Sequence, residues 1–350
     1  MIPYFVVLFL SVLLYYNYEK TESKLFLYLA FIILTLLPGL RDLTVGTDTQ
    51  GYVREFFSIS AYNDLRSVWQ NFSVENGWLA LNFIISRFFN GYWALMMATG
   101  AITAGCALFA IKKISVAGTL SLFLFITMGY YLQCFAAMRQ SAAIAIYMLA
   151  LPYLFKKDFK KYCAIVIIAA LFHQTILVAI PLYFLFTMKI SPKTVSLLIV
   201  VGLIGGYLLP KILIFASSVE ERYGTYLEYQ GGGELFACFY VMLAIFFLME
   251  RNSIKEEAKG RYDIMLMMLM FASVIYLVVI LSNVYGEVTR LAMYFQISVI
   301  FLWAEIFKNS KYKKRRIIYI VCIVGSLAFL YIYLSKIGHI APYILNSTFE

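Results

Sequence analysis

Residues 162–187 read YCAIVIIAALFHQTILVAIPLYFLFT, and the topology of the chain depends on this stretch. It is long enough to cross a bilayer, which needs about 20 mostly apolar residues, but Phe172-His173-Gln174-Thr175 interrupts it. As one tilted span it would place the basic clusters 251–261 and 308–316 outside. As two half-helices that enter and return on one side, it places them in the cytoplasm, where basic residues concentrate. We therefore predict a re-entrant helical hairpin at about 162–187.

The remaining sequence is equally apolar. Of the 350 residues, 63% are hydrophobic and 14% are charged, and the mean hydropathy is +0.82. Such a composition excludes a soluble-enzyme fold and a sizeable water-soluble domain. The five cysteines are scattered through apolar stretches without a CxxC pair, so we expect neither a disulfide nor a metal site.

Hydropathy also predicts the spanning helices. The first segment lacks a preceding basic region and an A-x-A cleavage site, so we interpret it as an uncleaved span. The sequence thus predicts an all-α polytopic membrane protein, a single integral membrane domain over residues 1–350 with about ten spanning helices and the re-entrant hairpin. The predicted spans are 2–18, 24–40, 91–111, 115–133, 139–155, 194–214, 235–250, 263–282, 291–307 and 317–335.

The basic residues divide by type. The formal net charge is +10, but the lysines lie in short clusters between apolar runs, which is typical of membrane topology and not of nucleic-acid binding. The predicted cytoplasmic loops hold 16 Lys and 4 Arg, whereas seven of the other nine basic residues are Arg. Because Arg binds phosphate or carboxylate bidentately, we expect function in the outer loops, at about 41–76, 216–234 and 283–290.

The densest polar cluster follows the second predicted span. It begins with Gly39-Leu40-Arg41-Asp42 and continues through Gly46-Thr47-Asp48-Thr49 to Tyr52. Glycines permit tight turns that bring backbone amides close to an anion, and Arg41 adds a fork for phosphate. The alternative is an Arg41–Asp42 pair that caps a helix end.

Three further positions combine polar chemistry with an apolar context. Arg139-Gln140 lies inside an apolar segment, where an Arg costs at least about 2.5 kcal/mol on insertion scales and so marks a candidate functional site. His173 lies at the tip of the predicted hairpin, where an imidazole can act as a general base. Glu75 precedes the next return into the bilayer. The alternatives are an Arg that reaches the interface, a packing His and an ordinary interfacial carboxylate.

The later outer loops carry two more candidates. Arg222, Tyr223 and Tyr226 lie near Gly231-Gly232-Gly233, a composition that suits sugar stacking but also an ordinary solvated loop. Arg290 has Tyr294 one turn away. The sequence contains no GxSxG, DxD, P-loop or GxGxxG motif, so we expect no metal and no cofactor.

In their order along the chain, these motifs resemble the EpsG family of Wzy-type polysaccharide polymerases. The resemblance covers the chain well to about residue 187, and Arg222-Tyr223 with Tyr226 resemble the family's later outer-loop motif. The C-terminal third matches only in hydropathy and Arg290. The motifs that carry the resemblance are Gly39-x-Arg41-Asp42, Gly46-Thr47-Asp48-Thr49-x-x-Tyr52, Glu75-x-Gly77, Met138-Arg139-Gln140 and Phe172-His173-Gln174-Thr175.

The resemblance implies a membrane glycosyltransferase without a metal, with a GT-C-like arrangement as a further option. It would polymerise undecaprenyl-pyrophosphate-linked oligosaccharide repeat units into exopolysaccharide, capsule or O-antigen. The reaction would take place on the outer or periplasmic face of a bacterial plasma (inner) membrane. A chain-length regulator and a flippase are the implied protein partners, besides the lipid bilayer, and nucleic acid is not implied.

The predicted roles follow from this chemistry. A pyrophosphate leaving group needs arginines, and an acceptor hydroxyl needs a base. Arg139 and Arg41 are assigned to the pyrophosphate, and His173 is the preferred base or acceptor-positioning group. The predicted catalytic residues are His173, Arg139, Asp48 and Glu75. The predicted substrate-binding residues are Arg41, Asp42, Tyr52, Gln140, Gln174, Arg222, Tyr223, Tyr226 and Arg290.

Other functions remain open at this point. An O-antigen-ligase-like enzyme would share the chemistry but use a different acceptor. An O-acyltransferase with a cytosolic acyl donor would need functional residues near the inner face, where the sequence has mainly Lys. A polysaccharide-related transporter would need a charged path across the bilayer, whereas the polar candidates cluster near one leaflet.

Overall fold

The computed structural model describes residues 1–217, 234–282, 287–311 and 316–346. In these ranges the regular elements are helices, and two isolated bridges pair Arg41 with Leu345 and Ile254 with Ser310. The predicted all-α class is confirmed. The chain forms two compact units. Unit 1 comprises Met1–Tyr153, Asp158–Leu177 and Lys314–Glu350, and unit 2 comprises Leu154–Lys157 and Val178–Lys313.

Unit 1 is built on helices, many of which pack against partners that are not their neighbours in sequence. Helix α2 lies against α1 and α6, α8 lies against α6 and α10, and α7 lies against α1 and the last helix, α17. The three short helices α3 to α5 connect α2 to α6. The bounds are α1 (Ile2–Thr21), α2 (Lys24–Gly39), α3 (Thr49–Ser60), α4 (Leu65–Asn71), α5 (Asn76–Phe88), α6 (Trp93–Ile114), α7 (Gly118–Thr127), α8 (Met138–Met148), α9 (Leu151–Phe155) and α10 (Phe159–Ala170).

Unit 2 is organised around its longest helix, α14, which contacts α11, α12, α13, α15 and α16. Its charged side chains include two arginine–carboxylate pairs. Arg251 binds Asp263 with Nε 2.7 Å from Oδ1, and Arg261 lies 3.1 Å from Glu305. The remaining bounds are α11 (Ala179–Phe186), α12 (Pro192–Ser217), α13 (Glu234–Glu250), α14 (Glu256–Ser282), α15 (Glu287–Gln296), α16 (Val299–Asn309) and α17 (Arg316–Ile332).

Six helical segments of the described chain are long and apolar enough to cross a membrane. They coincide with six of the ten predicted spans and indicate a multi-pass membrane protein. The other four predicted spans, the re-entrant hairpin and the single integral membrane domain remain predictions. The six segments are Ile2–Thr21, Trp93–Ile114, Gly118–Phe135, Glu256–Ser282, Thr289–Asn309 and Arg316–Ile337.

The interrupted stretch 162–187 is broken where its sequence predicts. Helix α10 ends at Ala170, and a 3₁₀ turn, Gln174–Val178, precedes α11. The break leaves His173 between the two helical segments, outside regular helix. A polar side chain therefore lies at the break, next to the backbone N–H of Gln174 that begins the 3₁₀ turn.

The region between α2 and α6 holds three helices, and the first of them is amphipathic. Helix α3 buries Tyr52, Val53, Phe56 and Ile59, which recur at the spacing of one helix face. That face packs against α5, where Trp78 and Leu79 are fully buried. Arg54 and Phe57, on the other face, are exposed. The packing fixes the orientation of the polar residues on α3 and at the start of α5.

Candidate functional site

A close approach between two chain segments positions the site. The backbone N–H of Trp78 donates to the carbonyl of Leu171 at 3.1 Å. At Gly77, an added Cβ would lie 2.6 Å from the Cβ of Leu171 and 2.7 Å from its carbonyl oxygen. Only glycine fits this contact without displacement. The start of α5 is thereby held against the end of α10, and Glu75 reaches the residues that follow α10.

Glu75 accepts hydrogen bonds from that segment. Its Oε1 lies 3.0 Å from Nδ1 of His173, and the backbone N–H of Gln174 donates to the same oxygen at 3.1 Å. The carboxylate therefore fixes the orientation of the imidazole ring. It also satisfies the backbone N–H of Gln174, a donor left open at the start of the 3₁₀ turn.

Arg139, from the first turn of α8, completes the cluster. Its Nη1 donates to Oε2 of Glu75 at 2.6 Å, a charge-assisted hydrogen bond. Glu75 is only 8% exposed, whereas Arg139 is 26% exposed. The guanidinium of Arg139 can therefore contact a ligand while it stays paired with the carboxylate of Glu75. The structure thus joins three residues that are far apart in sequence, Glu75, Arg139 and His173.

Glu75 is ionised and holds its two neighbours in place. Burial alone would raise the pKa of Glu75, but the hydrogen bond with His173 and the charge of Arg139 lower it to about 2. The carboxylate is ionised at neutral pH and takes up a proton poorly, so it is a weak general base. Its contribution is to hold an arginine and a histidine side by side.

Two aromatic residues, Tyr52 and Trp78, pack beside the cluster. The phenol of Tyr52 hydrogen-bonds to Arg139, and its ring meets that of Trp78 edge to face, with centroids 5.4 Å apart. Tyr52 was predicted as a substrate-binding residue. The structure places it at Arg139, one turn into α3.

A second carboxylate, Glu55, was missed by the sequence reasoning. The indole N–H of Trp78 donates to Oε1 of Glu55 at 2.6 Å. Burial raises the pKa of Glu55, although the hydrogen bond from Trp78 and the charge of Arg139 act against the increase. The sequence did contain a signal for Glu55: it lies three residues after Tyr52, and residues three apart share a helix face.

Arg41 lies in a different environment, fully buried at 0% exposure. Its Nη1 donates to the carbonyl of Cys134 at 3.1 Å, and Nη2 lies 3.4 Å from Oγ1 of Thr49. The guanidinium also faces the ring of Phe135, 4.9 Å from its centroid. These contacts tie the loop after α2 to the 3₁₀ turn before α8.

The loop around Arg41 depends on one glycine. Gly46 has φ of +98°, and an added Cβ would lie 1.9 Å from the carbonyl oxygen of Phe135. Nearby, Asp42 accepts from the backbone N–H of Thr44 at 3.0 Å. Asp48 immediately precedes α3, and its carboxylate makes no hydrogen bond or ion pair within the described ranges. Asp42 and Asp48 are therefore not part of the Glu75 cluster.

The other predicted residues are distributed more widely. Gln140 is buried beside Arg139 on α8, and the exposed Gln174 contributes its backbone N–H to Glu75. Arg290 lies half-buried on α15 in unit 2. Arg222, Tyr223 and Tyr226 lie outside the described residues.

Comparison with protein families places the chain in one family. The family model described as EpsG matches residues 24–345. The chain belongs to the EpsG family. Comparisons with curated proteins and with solved structures found no significant match. Membership in the EpsG family indicates a role in exopolysaccharide biosynthesis.

The matched region of this EpsG-family chain contains every residue of the cluster. Arg139 supplies a partly exposed positive charge, His173 an oriented imidazole, and Glu55 a carboxylate whose pKa is raised. In the described part of the chain, no three His, Cys, Asp or Glu side chains lie close enough together to hold a metal ion. The cluster therefore combines an anion-binding group with groups that can accept a proton.

Proposed function

We propose that this EpsG-family protein polymerises polyprenyl-pyrophosphate-linked oligosaccharide repeat units. The product would be an exopolysaccharide, capsule or O-antigen assembled at the outer face of a bacterial plasma membrane. The observation that carries the proposal is the contact of Arg139 and His173 with one carboxylate, Glu75. The three residues of the cluster lie within the region that the family model matches, in a chain with several candidate membrane-spanning helices.

The proposed reaction needs a group that stabilises the departing pyrophosphate. An acceptor hydroxyl attacks the anomeric carbon of the donor, the bond from that carbon to the pyrophosphate oxygen breaks, and polyprenyl pyrophosphate leaves as an anion. Arg139 is the proposed contact for this anion, because its guanidinium is partly exposed and Glu75 fixes it on one side. Preorganised charge of this kind stabilises the transition state most effectively.

His173 lies on the other side of the same carboxylate. Two roles suit its position: general base toward the acceptor hydroxyl, or orientation of the acceptor sugar by a hydrogen bond. In both roles Glu75 fixes the ring, in the way that a carboxylate orients a catalytic histidine in other enzymes. Asp48 is the competing base, since its carboxylate has no bonding partner in the described chain.

The remaining assignments concern the glycan. Tyr52 and Gln140 adjoin Arg139 and are proposed to contact the donor, and Gln174 the acceptor. Asp42, Arg222, Tyr223, Tyr226 and Arg290 are proposed as further contacts to the glycan. For Arg41, complete burial favours support of the loop over direct binding of pyrophosphate. The proposed reaction uses no cofactor, and its proposed protein partners are a chain-length regulator and a flippase.

The test is the chain-length profile of the surface glycan in a strain that lacks the gene. The strain is complemented with wild type, Arg139→Ala or His173→Ala, with His339→Asn as the control, because His339 is exposed and outside the cluster. We expect wild type and control to restore long chains, and both cluster variants to leave single repeat units. Membrane abundance is measured for each variant.

The profile also separates the alternatives. Wild-type chain lengths in the deletion strain would contradict the proposal. Long chains that remain on the lipid carrier would indicate ligation to another acceptor, and loss of all surface glycan with repeat units retained inside would indicate transport.

A further inference from the structure

Glu55 is a carboxylate of unit 1 with one oxygen bonded and the other available. Oε1 accepts the indole N–H of Trp78 at 2.6 Å. Oε2 makes no hydrogen bond or ion pair with any described residue, and the side chain is only half-buried. A carboxylate held through one oxygen keeps its orientation while the other oxygen can accept a proton from a bound ligand.

Packing directs Glu55 toward the cluster. Tyr52 and Glu55 are three residues apart on α3 and therefore share a face. Tyr52 hydrogen-bonds to Arg139, and Trp78, three residues after Glu75, connects Glu55 to the start of α5. Arg139 and Glu75 both act on Glu55 through their charges. Glu55 thus adjoins the proposed contact for the pyrophosphate.

The two carboxylates differ in their environments. Glu75 has a cationic partner, whereas the direct partner of Glu55 among the described residues is the neutral indole of Trp78. Accordingly the pKa of Glu75 is lowered and the pKa of Glu55 is raised. Where two carboxyl groups of one site are separated in this way, the group with the higher pKa is the better proton acceptor near neutral pH.

We propose that Glu55 is the general base that takes the proton of the acceptor hydroxyl. This assignment rests on the proposed polymerase function. As the hydroxyl oxygen bonds to the anomeric carbon, its proton passes to Oε2 of Glu55 and the pyrophosphate departs toward Arg139. The proton is later released to water. His173 then orients the acceptor sugar instead of deprotonating it.

The experiment uses the full-length protein in nanodiscs and lipid-linked repeat units extracted from the deletion strain. Glu55→Gln keeps an acceptor for the indole N–H of Trp78 but cannot take up a proton. We expect kcat to fall at least about 100-fold, as for loss of a general base, with KM within about threefold. Glu55→Asp, which keeps a carboxylate, should retain part of the rate. The control is Glu257→Gln, an exposed carboxylate of unit 2.

The pH profile provides a readout that a structural role would not change. The hydrogen bond from Trp78 lowers the pKa of Glu55, so Trp78→Phe should raise it and move the acidic limb of kcat to higher pH. The charged groups that act on Glu55 are Arg139 and Glu75, which this substitution leaves in place. Arg87, on the adjoining α5, donates instead to the carbonyls of Ser60 and Tyr62.

The outcomes distinguish the two proposals. A wild-type enzyme that polymerises, with Glu55→Gln above about one tenth of its rate, would overturn the base assignment and leave the polymerase intact. An unshifted pH profile in an active Trp78→Phe variant would also overturn it. A wild-type protein that forms no polymer from these units would overturn the proposed function and this assignment together.

Discussion

Arg41 and Arg139 both lie in the region that the EpsG family model matches, yet their surroundings in the structure differ. Arg41 is fully buried, and its guanidinium contacts a backbone carbonyl, the hydroxyl of Thr49 and an aromatic ring. Arg139 is ion-paired with Glu75 and remains 26% exposed. An arginine enclosed by its own chain holds that chain together. An arginine paired at one edge keeps donors for a ligand, so exposure and partners separate the two roles.

Of the variants that test this comparison, those at Arg139 should have the largest effect on polymer formation. We expect Arg139→Ala to reduce polymer formation about 100- to 1,000-fold, since loss of one charge-stabilising donor has this effect in other active sites. Arg139→Lys keeps the charge without the planar fork and should recover only part of the activity. The measurement is the amount and length of glycan per membrane-inserted protein.

The matched control is Arg54→Ala, because Arg54 is exposed on α3. It should polymerise like wild type. If Arg139→Ala produced glycan of full chain length, Arg139 would be structural like Arg41, and the two arginines would not differ in role.

The ion pair at Glu75 should be visible in the pH dependence of stability. Because its pKa is lowered from 4.5 to about 2, the ionised carboxylate stabilises the folded state above about pH 4.5, and this contribution is lost as the pH falls toward 2. At about 1.4 kcal/mol per pKa unit, the contribution is on the order of 3 kcal/mol. We would measure Tm for wild type and Glu75→Gln in detergent across this range.

The expected difference in Tm between the two proteins is constant from about pH 7 to pH 5 and narrows below that. A difference that stays constant down to about pH 2 would mean that the folded-state pKa of Glu75 lies near its ordinary value. The ion pair with Arg139 would then be weaker than its geometry indicates.

Removal of Arg41 should affect folding more than chemistry. Arg41→Met keeps an apolar contact with Phe135 but loses the hydrogen bonds to Cys134 and Thr49. We expect a loss of about 2 kcal/mol in stability, typical of hydrogen bonds to a charged group, with a lower Tm and lower abundance. Polymer formed per folded molecule should stay close to wild type. An abundant, stable Arg41→Met protein without polymerase activity would instead assign Arg41 to the substrate.

The smallest effect in this series should come from Gly77. In Gly77→Ala the new methyl would meet Leu171 at 2.6 Å, so the start of α5 must move away from the end of α10. Glu75 would then fit His173 less well, and we expect about a tenfold lower rate, because small misplacements of catalytic groups are costly. The control is Gly51→Ala on α3, where an added Cβ meets nothing within 4 Å. Equal rates for both variants would mean that this contact does not position the site.

The sequence predicted part of this arrangement well. Hydropathy located six spans because bilayer thickness imposes a length on any apolar helix. The break at His173 was predicted because polar residues interrupt an apolar run there. Glu75, Arg139 and His173 were each predicted as functional, but their contact was not. It depends on Gly77 and Leu171, whose close approach leaves no pattern in a single sequence.

Two residues illustrate what the pattern could not predict. Glu55 was not among the predicted residues, since its charge alone does not reveal that Trp78 donates a hydrogen bond to it. Arg41 was assigned to pyrophosphate because a fork of donors suits phosphate. The same fork also suits a backbone carbonyl, and burial distinguishes the two.

The loop that holds Arg41 also has a consequence for the timing of folding. The backbone N–H of Asp42 donates to the carbonyl of Ile344, and the N–H of Asn346 donates to the carbonyl of Leu40, both at 2.9 Å. A ribosome that adds about 5–20 residues per second makes these partners roughly 15–60 s after the loop itself. During that interval α2 is already made, but its C-terminal end lacks both bonds. A segment synthesised about 300 residues later therefore completes this loop.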